Sequence, residues 1–596
     1  MHLEVERVYT LAHLAQPTKR VVRMTTFTPK IWHFLAFILS STSIQAKRPE
    51  QTLKDLAQDY YELTIEIAQP YGYFNDFELP SHDKFIKNSP ESLKHYRDTE
   101  DRIYEQLNKL KVENLEHNKA KIFYAKFVES LESSIDERVC KSELWNISHM
   151  FGAHTLLDFL VTVQPIKTPQ NKLDTLKRWS EISSYYQQEI KNLNMGLAQG
   201  YSAPKRVVKR LISQLEKLTD FEINQHPFLE LVKTSQDERF NHQFKELLKE
   251  DLIPSLKAFT AYLQNTYLTT ARTALGLHAI PNGRACYIAL YRRHTTLKRT
   301  PEKIFDIGYA EVDKNITSVI TLGKELYGTS TFAEAVAKAN QDKSQTFASS
   351  EQMHTYYLEV VKRSKSAMEG YFFNLPSIGL DVKAIPEYQQ GSGRSAHYSQ
   401  GSNQRSARFY YDPSTFPLEN FGTGEIVTVH EGYPGHHMQV ALVQDLEPFH
   451  AVESLFENSA FSEGWARYAE SLAEEAGIYH SKSAKILRRT WPARGMVADT
   501  AMHLLGWSNQ AVTKILSDSG KPFSKFPDVM MDRMAAMPAQ LTAYDSGALE
   551  IFALRKEVKQ ALGDKFDIKQ FHHLILKNGN VPLAVLRQEV MKSIDE

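Results

Sequence analysis

Apolar residues recur three and four positions apart through most of the chain, and that spacing predicts amphipathic helices. Clear stretches are 93–110, 173–197 and 244–263, with Lys, Glu, Gln and Ala filling the polar positions. Turn signals separate the helical runs: Gln69-Pro70-Tyr71-Gly72, Ile280-Pro281-Asn282-Gly283 and Asn374-Leu375-Pro376. The pattern breaks at 386–424, which is rich in Gly, Ser, Gln and Pro, including Gly391-Ser392-Gly393 and Gly401-Ser402-Asn403. Within it Ala407–Tyr411 is the one convincing strand of the second half. Helical periodicity resumes at Glu425 and runs almost to the end. No repeat of solenoid length occurs.

The amino terminus has a different pattern. Lys30 precedes a mostly apolar stretch, 31–39, and small and polar residues lead to Ala46, ahead of Lys47-Arg48-Pro49-Glu50. This order predicts an exported protein, periplasmic or secreted, with a signal peptide cleaved near Ala46. Residues before Met24 read as an upstream extension. The apolar stretch is too short for a membrane span, and no other reaches that length, so stable membrane insertion of the mature chain is not expected.

Composition narrows the classes further. The 596 residues carry 71 basic and 71 acidic side chains, with no large basic block, which leaves nucleic-acid binding without an electrostatic footprint. A hydrophobic content of 42% suits a large packed body rather than a disordered chain. The only cysteines, Cys140 and Cys286, lack the spacing of a thiolate zinc site and are expected to be two buried thiols, with one bridge as the alternative.

The sharpest motif is Val429-His430-Glu431-Gly432-Tyr433-Pro434-Gly435-His436-His437. Imidazole is a good zinc ligand at neutral pH, and an adjacent glutamate can take a proton from metal-activated water. In the usual His-Glu-x-x-His arrangement both histidines share one helix face, one turn apart. Here His436 is six positions beyond His430, and His437 seven. On a regular helix the first offset turns the side chain away, and the second separates the Cα atoms by about 10 Å. Pro434-Gly435 can break the turn and absorb two residues. That favours His436 as the ligand, with His437 as the alternative.

A following helical segment supplies a carboxylate. Glu463 stands 33 residues after His430 and precedes Gly464, whose missing side chain permits close approach of another helix. Arg467 and Glu470 follow on the same face and can support the ligands from behind. Further on, Asp499 and His503 lie four apart, so Asp499 can orient a His503 that faces substrate. Arg533 can hold a substrate carboxylate, and Tyr544 can donate to a developing oxyanion.

Together these segments resemble a large, mainly bacterial family of zincin-like proteins, many of them exported. The resemblance rests on 430–437, Glu463-Gly464-Trp465-Ala466, Asp499 and His503 with Gly506-Trp507-Ser508, and Arg533, Pro538-Ala539-Gln540 and Tyr544. Weaker segments upstream extend it over roughly residues 50–590; Ala539 and Leu541 depart from the usual residues. It implies a mainly α, two-lobed body similar to helical gluzincins, around a deep cleft. The lobes would be about 47–380 and 381–596, following an extension and signal segment at 1–46. A strand above the zinc helix would pair with an extended substrate, which puts Tyr410 and Tyr411 among the substrate contacts. It also implies one Zn2+ on His430, His436 and Glu463, Glu431 as general base, and Tyr544 or His503 at the oxyanion. The expected activity is hydrolysis of small peptides, with exopeptidase action favoured. The alternatives are hydrolysis of a non-peptide amide or cell-wall fragment, and a catalytically silent binder on the same scaffold.

Overall fold

The computed structural model describes residues 48–75, 77–385, 390, 396–401, 406–456, 458–520 and 527–595. The expected signal segment at 1–46 and the glycines at 391 and 393 lie outside them. The chain is mainly α, with one small sheet among the described residues. Several helices begin where a hydroxyl residue precedes proline. Ser89-Pro90, Thr168-Pro169 and Thr300-Pro301 each cap a helix, the hydroxyl accepting the N–H three residues on while proline occupies the first turn. The segment expected as a helix over 244–263 is helical, with wider π turns at Leu248–Leu252 and Leu263–Tyr267 on either side of Ile253–Tyr262.

Strands β1 (Leu380–Ala384), β2 (His397–Ser399) and β3 (Ala407–Tyr411) form the sheet in the order β1-β3-β2. The expected strand is therefore its centre, paired in parallel with β1 and antiparallel with β2. Both its edges are taken, so it has no free ladder to offer an extended substrate. Among the described residues, the unpaired edges are those of β1 and β2.

Arg48–Glu596 pack as one unit, and the apolar core does not divide at residue 380. One cluster joins Trp179, Phe244 and Leu263 to Ala498, Met502 and Met534, and another joins Val360 to Val429, Trp465 and Val590. Helix Arg494–His503 carries the interleaving of the first cluster through Ala498 and Met502; all of its residues are buried, and it packs on both Pro301–Tyr327 and Gln540–Leu562. A further correction concerns the cysteines: Cys140 and Cys286 are bonded to each other across 146 residues of chain. Both are buried, as expected, but on facing elements that bring their Cα atoms to 4.7 Å, within disulfide range. Among the described residues no helix is long and apolar enough to cross a membrane.

Candidate metal centre

Asn420 starts the motif helix, Phe421–Glu431, with a reciprocal cap: its side chain accepts the Thr423 N–H, and Thr423 Oγ1 accepts the Asn420 N–H. The helix stops at Glu431, the Tyr433–Pro434 peptide is cis, and a second helix runs over His436–Gln444. Across the break the Gly435 N–H donates to Val429 O at 2.9 Å, a six-residue span in place of the helical four. That bond loops out the two extra residues of the motif. Only glycine fits there, since a Cβ on Gly435 would stand 1.9 Å from His430 O. Trp465 Nε1 donates to Pro434 O at 2.9 Å and ties the break to the helix that carries Glu463, Ser459–Glu475.

His430, His436 and Glu463 come together, with one ligand atom from each lying within 4.8 Å of the others. His430 Nε2 is 3.5 Å and His436 Nε2 3.4 Å from Glu463 Oε2. Ligands about 2.0–2.1 Å from a tetrahedral zinc stand about 3.4 Å apart. Glu463 Oε2 is buried and without a hydrogen bond, an arrangement that a cation would satisfy. The three side chains retain 13–19% exposure, so the group is reachable from solvent. Behind it His430 Nδ1 bonds Glu470 Oε1 at 2.9 Å, leaving Nε2 to face the centre. Arg467 Nη1 holds both oxygens of Glu470, at 2.8 and 3.0 Å. Arg467 and Glu470 thus stand where the sequence placed them.

The electrostatics fit a site that a cation completes. Burial works against a charged His430, but the Glu463 carboxylate nearby and the bond to Glu470 outweigh that and push its pKa up to about 10. For Glu463 the same balance, burial opposed by the two histidines, ends well below the usual carboxylate range. Glu431 is raised, chiefly by burial, and accepts the main-chain N–H of Tyr398 on β2. Tyr544 stacks near His430, 6.3 Å between ring centroids. Burial pushes the Tyr544 hydroxyl up to about 12, so it remains a donor at neutral pH. Arg533 Nη2 donates to Gln540 Oε1 at 2.9 Å and to Tyr544 Oη at 3.3 Å.

Other expected site residues are placed elsewhere. His437 is fully buried, its Nε2 3.0 Å from Tyr433 Oη and its Nδ1 3.3 Å from Tyr398 Oη, and burial lowers its pKa to about 4. It is not among the clustered ligand atoms. His503 is buried with both ring nitrogens on main chain, Nδ1 accepting from Leu277 N and Nε2 donating to Met534 O. It cannot also serve an oxyanion, and Asp499 does not orient it. Asp499 instead accepts from Tyr287 Oη and the Ala539 N–H, tying the helix start at Gln540 to the neighbouring helix. Tyr411 packs inward, bonded to His354 Nδ1 at 3.0 Å, and Tyr410 accepts from Arg408 and stacks on His397. Neither is shown at the ligand group. The residue that sequence reasoning missed is Tyr398, on a three-residue strand whose Gly- and Ser-rich flanks hide any alternation.

A model of a bacterial family of unknown function, DUF885, matches residues 68–590. The chain belongs to DUF885. The solved structure of a putative lipoprotein from Colwellia psychrerythraea is similar over 92% of this chain and 99% of its own, with a TM-score of 0.82 at 22% identity. A putative lipoprotein of unknown function from Shewanella oneidensis is similar over 90% and 99%, with a TM-score of 0.75 at 16% identity. At those identities the likeness concerns the fold. No curated protein matches the chain.

Proposed function

We propose that this DUF885 protein is a zinc-dependent hydrolase that cleaves the amide bond of small peptides. The observation that carries the reading is the convergence of His430, His436 and Glu463 beside a buried Glu431. Two imidazoles and one carboxylate, with a glutamate next to the first ligand, are the donor set of hydrolytic zinc. Zinc held there supplies Lewis acidity toward the scissile carbonyl and makes water more acidic.

The chain's own groups perform the proton work. Glu431 takes the proton of the attacking water and passes it to the leaving amine. Its raised pKa suits that exchange, and the Tyr398 N–H fixes the carboxylate's orientation. The Tyr544 hydroxyl, beside Glu463, donates to the oxygen that gains charge. His430 keeps its ligand face through Glu470 and Arg467. The reading includes export: a disulfide between the only two cysteines suits an oxidising compartment, and the similar solved structures are described as putative lipoproteins.

Glu431→Gln tests the assignment. It should retain zinc and lose on the order of 10³-fold in peptide hydrolysis. Activity equal to the parent protein would rule out Glu431 as the base.

A further inference from the structure

Resting on that hydrolase reading, we infer that Arg533 is an anion subsite that receives the free α-carboxylate of a peptide, so that the last residue is the one released. Arg533 is a guanidinium without an ion pair, since the Glu463 and Asp499 carboxylates act on it only from longer range. Among the described residues no carboxylate makes an ion pair with it, its Nη2 meets only the neutral Gln540 and Tyr544, and its Nε is buried without a partner. Arg467, nearby, has Glu470 at 2.8 Å. Arg178, Arg272 and Arg494 also lack a carboxylate, yet each donates its Nε to a main-chain carbonyl; Arg408 shares the orphaned Nε, but it lies on β3 with its Nη1 on Tyr410. A guanidinium left with an open donor beside a reactive group is arranged for a planar anion, which it can grip with two parallel bonds.

Position decides which carboxylate fits. Arg533 Nη2 lies 3.3 Å from Tyr544 Oη, and the Tyr544 ring stacks beside His430 of the ligand group, 6.3 Å between centroids. One side chain, Tyr544, thus separates the guanidinium from the ligand group. Consecutive Cα atoms are about 3.8 Å apart, so a carboxylate one residue beyond a carbonyl that meets Tyr544 lies within reach of a guanidinium bonded to the same hydroxyl. Gln540 and Tyr544 follow Arg533 on the next helix, Gln540–Leu562, and hold the guanidinium toward this side.

The test separates the subsite from the chemistry. Zinc-loaded Glu431→Gln protein is titrated calorimetrically with Ac-Ala-Ala-Phe as the free acid, with the same peptide as its amide, and with Ac-Ala-Ala-Glu amide. The acid should bind at least ten-fold more tightly than either amide. Adding Arg533→Gln should equalise all three, and adding Arg533→Lys, which keeps the charge but not the fork, should fall between. In the Glu431 parent protein the acid should lose its terminal Phe, at least ten-fold faster than the amide is cleaved. Equal binding of acid and amide, no measurable binding of the acid, a preference for the Glu side chain, or a preference that survives Arg533→Gln would each overturn the proposal. A ten-fold acid preference with no hydrolysis by the parent protein would uphold the subsite and sink the hydrolase reading. Hydrolysis without the preference would do the reverse.

Discussion

Gly464 and Gly547 stand against one another where the helices Ser459–Glu475 and Gln540–Leu562 cross, so close that a Cβ on Gly464 would lie 2.5 Å from the carbonyl carbon of Gly547. The contact places Glu463 and Tyr544, each next to the crossing on its own helix, at one centre. Gly464→Ala should push the helices apart, costing about 1–3 kcal/mol of stability. It should also weaken zinc retention, because the carboxylate moves with its helix. Denaturant unfolding and zinc analysis of the variant check this, and an unchanged midpoint together with full zinc would contradict it.

His437 anchors the edge strand through the Tyr398 hydroxyl. His437→Phe fills the same space but removes the partner of the Tyr433 and Tyr398 hydroxyls. It should keep zinc at the parental level while lowering stability by about 1–3 kcal/mol. If peptide hydrolysis is present in the parent, kcat should fall with little change in zinc content, since Tyr398 also meets Glu431 through its N–H. Loss of zinc from this variant would restore His437 as a ligand.

The Cys140–Cys286 bond closes 146 residues of chain. A loop of that length, cross-linked in the unfolded state, contributes about 4–5 kcal/mol in the chain-entropy account. The doubly substituted Cys140→Ser/Cys286→Ser protein should unfold at distinctly lower denaturant, and added reductant should shift only the parent protein. Identical midpoints under oxidising and reducing conditions would show that the two thiols are not bonded.

Glu189 is buried on helix Pro169–Ala198, and burial pushes its pKa up to about 7 from 4.5. Asn88 Nδ2 donates to Glu189 Oε2, which partly offsets the burial. The folded chain therefore binds a proton that the unfolded chain has released between about pH 4.5 and 7. Stability should fall as pH rises through that window and level off above it. Glu189→Gln keeps an acceptor for Asn88 and should remove this decline, gaining on the order of 2 kcal/mol relative to the parent at pH 8. Parallel stability–pH curves for the two proteins would contradict it.

Much of the centre is legible in the sequence because its parts follow local rules. The helix-breaking Pro434-Gly435 announces that two residues must be looped out, and the Gly435–Val429 bond carries that out. Glu463 with Gly464, and Arg467 with Glu470, sit on one helix, where spacing fixes their faces. What the sequence conceals is pairing between distant segments. Nothing near Cys140 or Cys286 signals that their elements face each other, and β1 and β2 are too short and too interrupted to show an alternation. For that reason Ala407–Tyr411 was visible as a strand but not as the middle one. His503 misleads for a related cause: its spacing from Asp499 suggests a pair, whereas distant Leu277 and Met534 take its ring.

Zinc content tests the proposed metal centre most directly. Protein purified without chelator, or apo protein reloaded with zinc and desalted, should carry one zinc per chain by elemental analysis. Anomalous diffraction at the zinc edge should place the ion among His430 Nε2, His436 Nε2 and Glu463. His436→Ala should lose that zinc. A His436→Ala protein that binds one zinc as tightly as the parent, or a parent protein that binds none, would contradict the assignment.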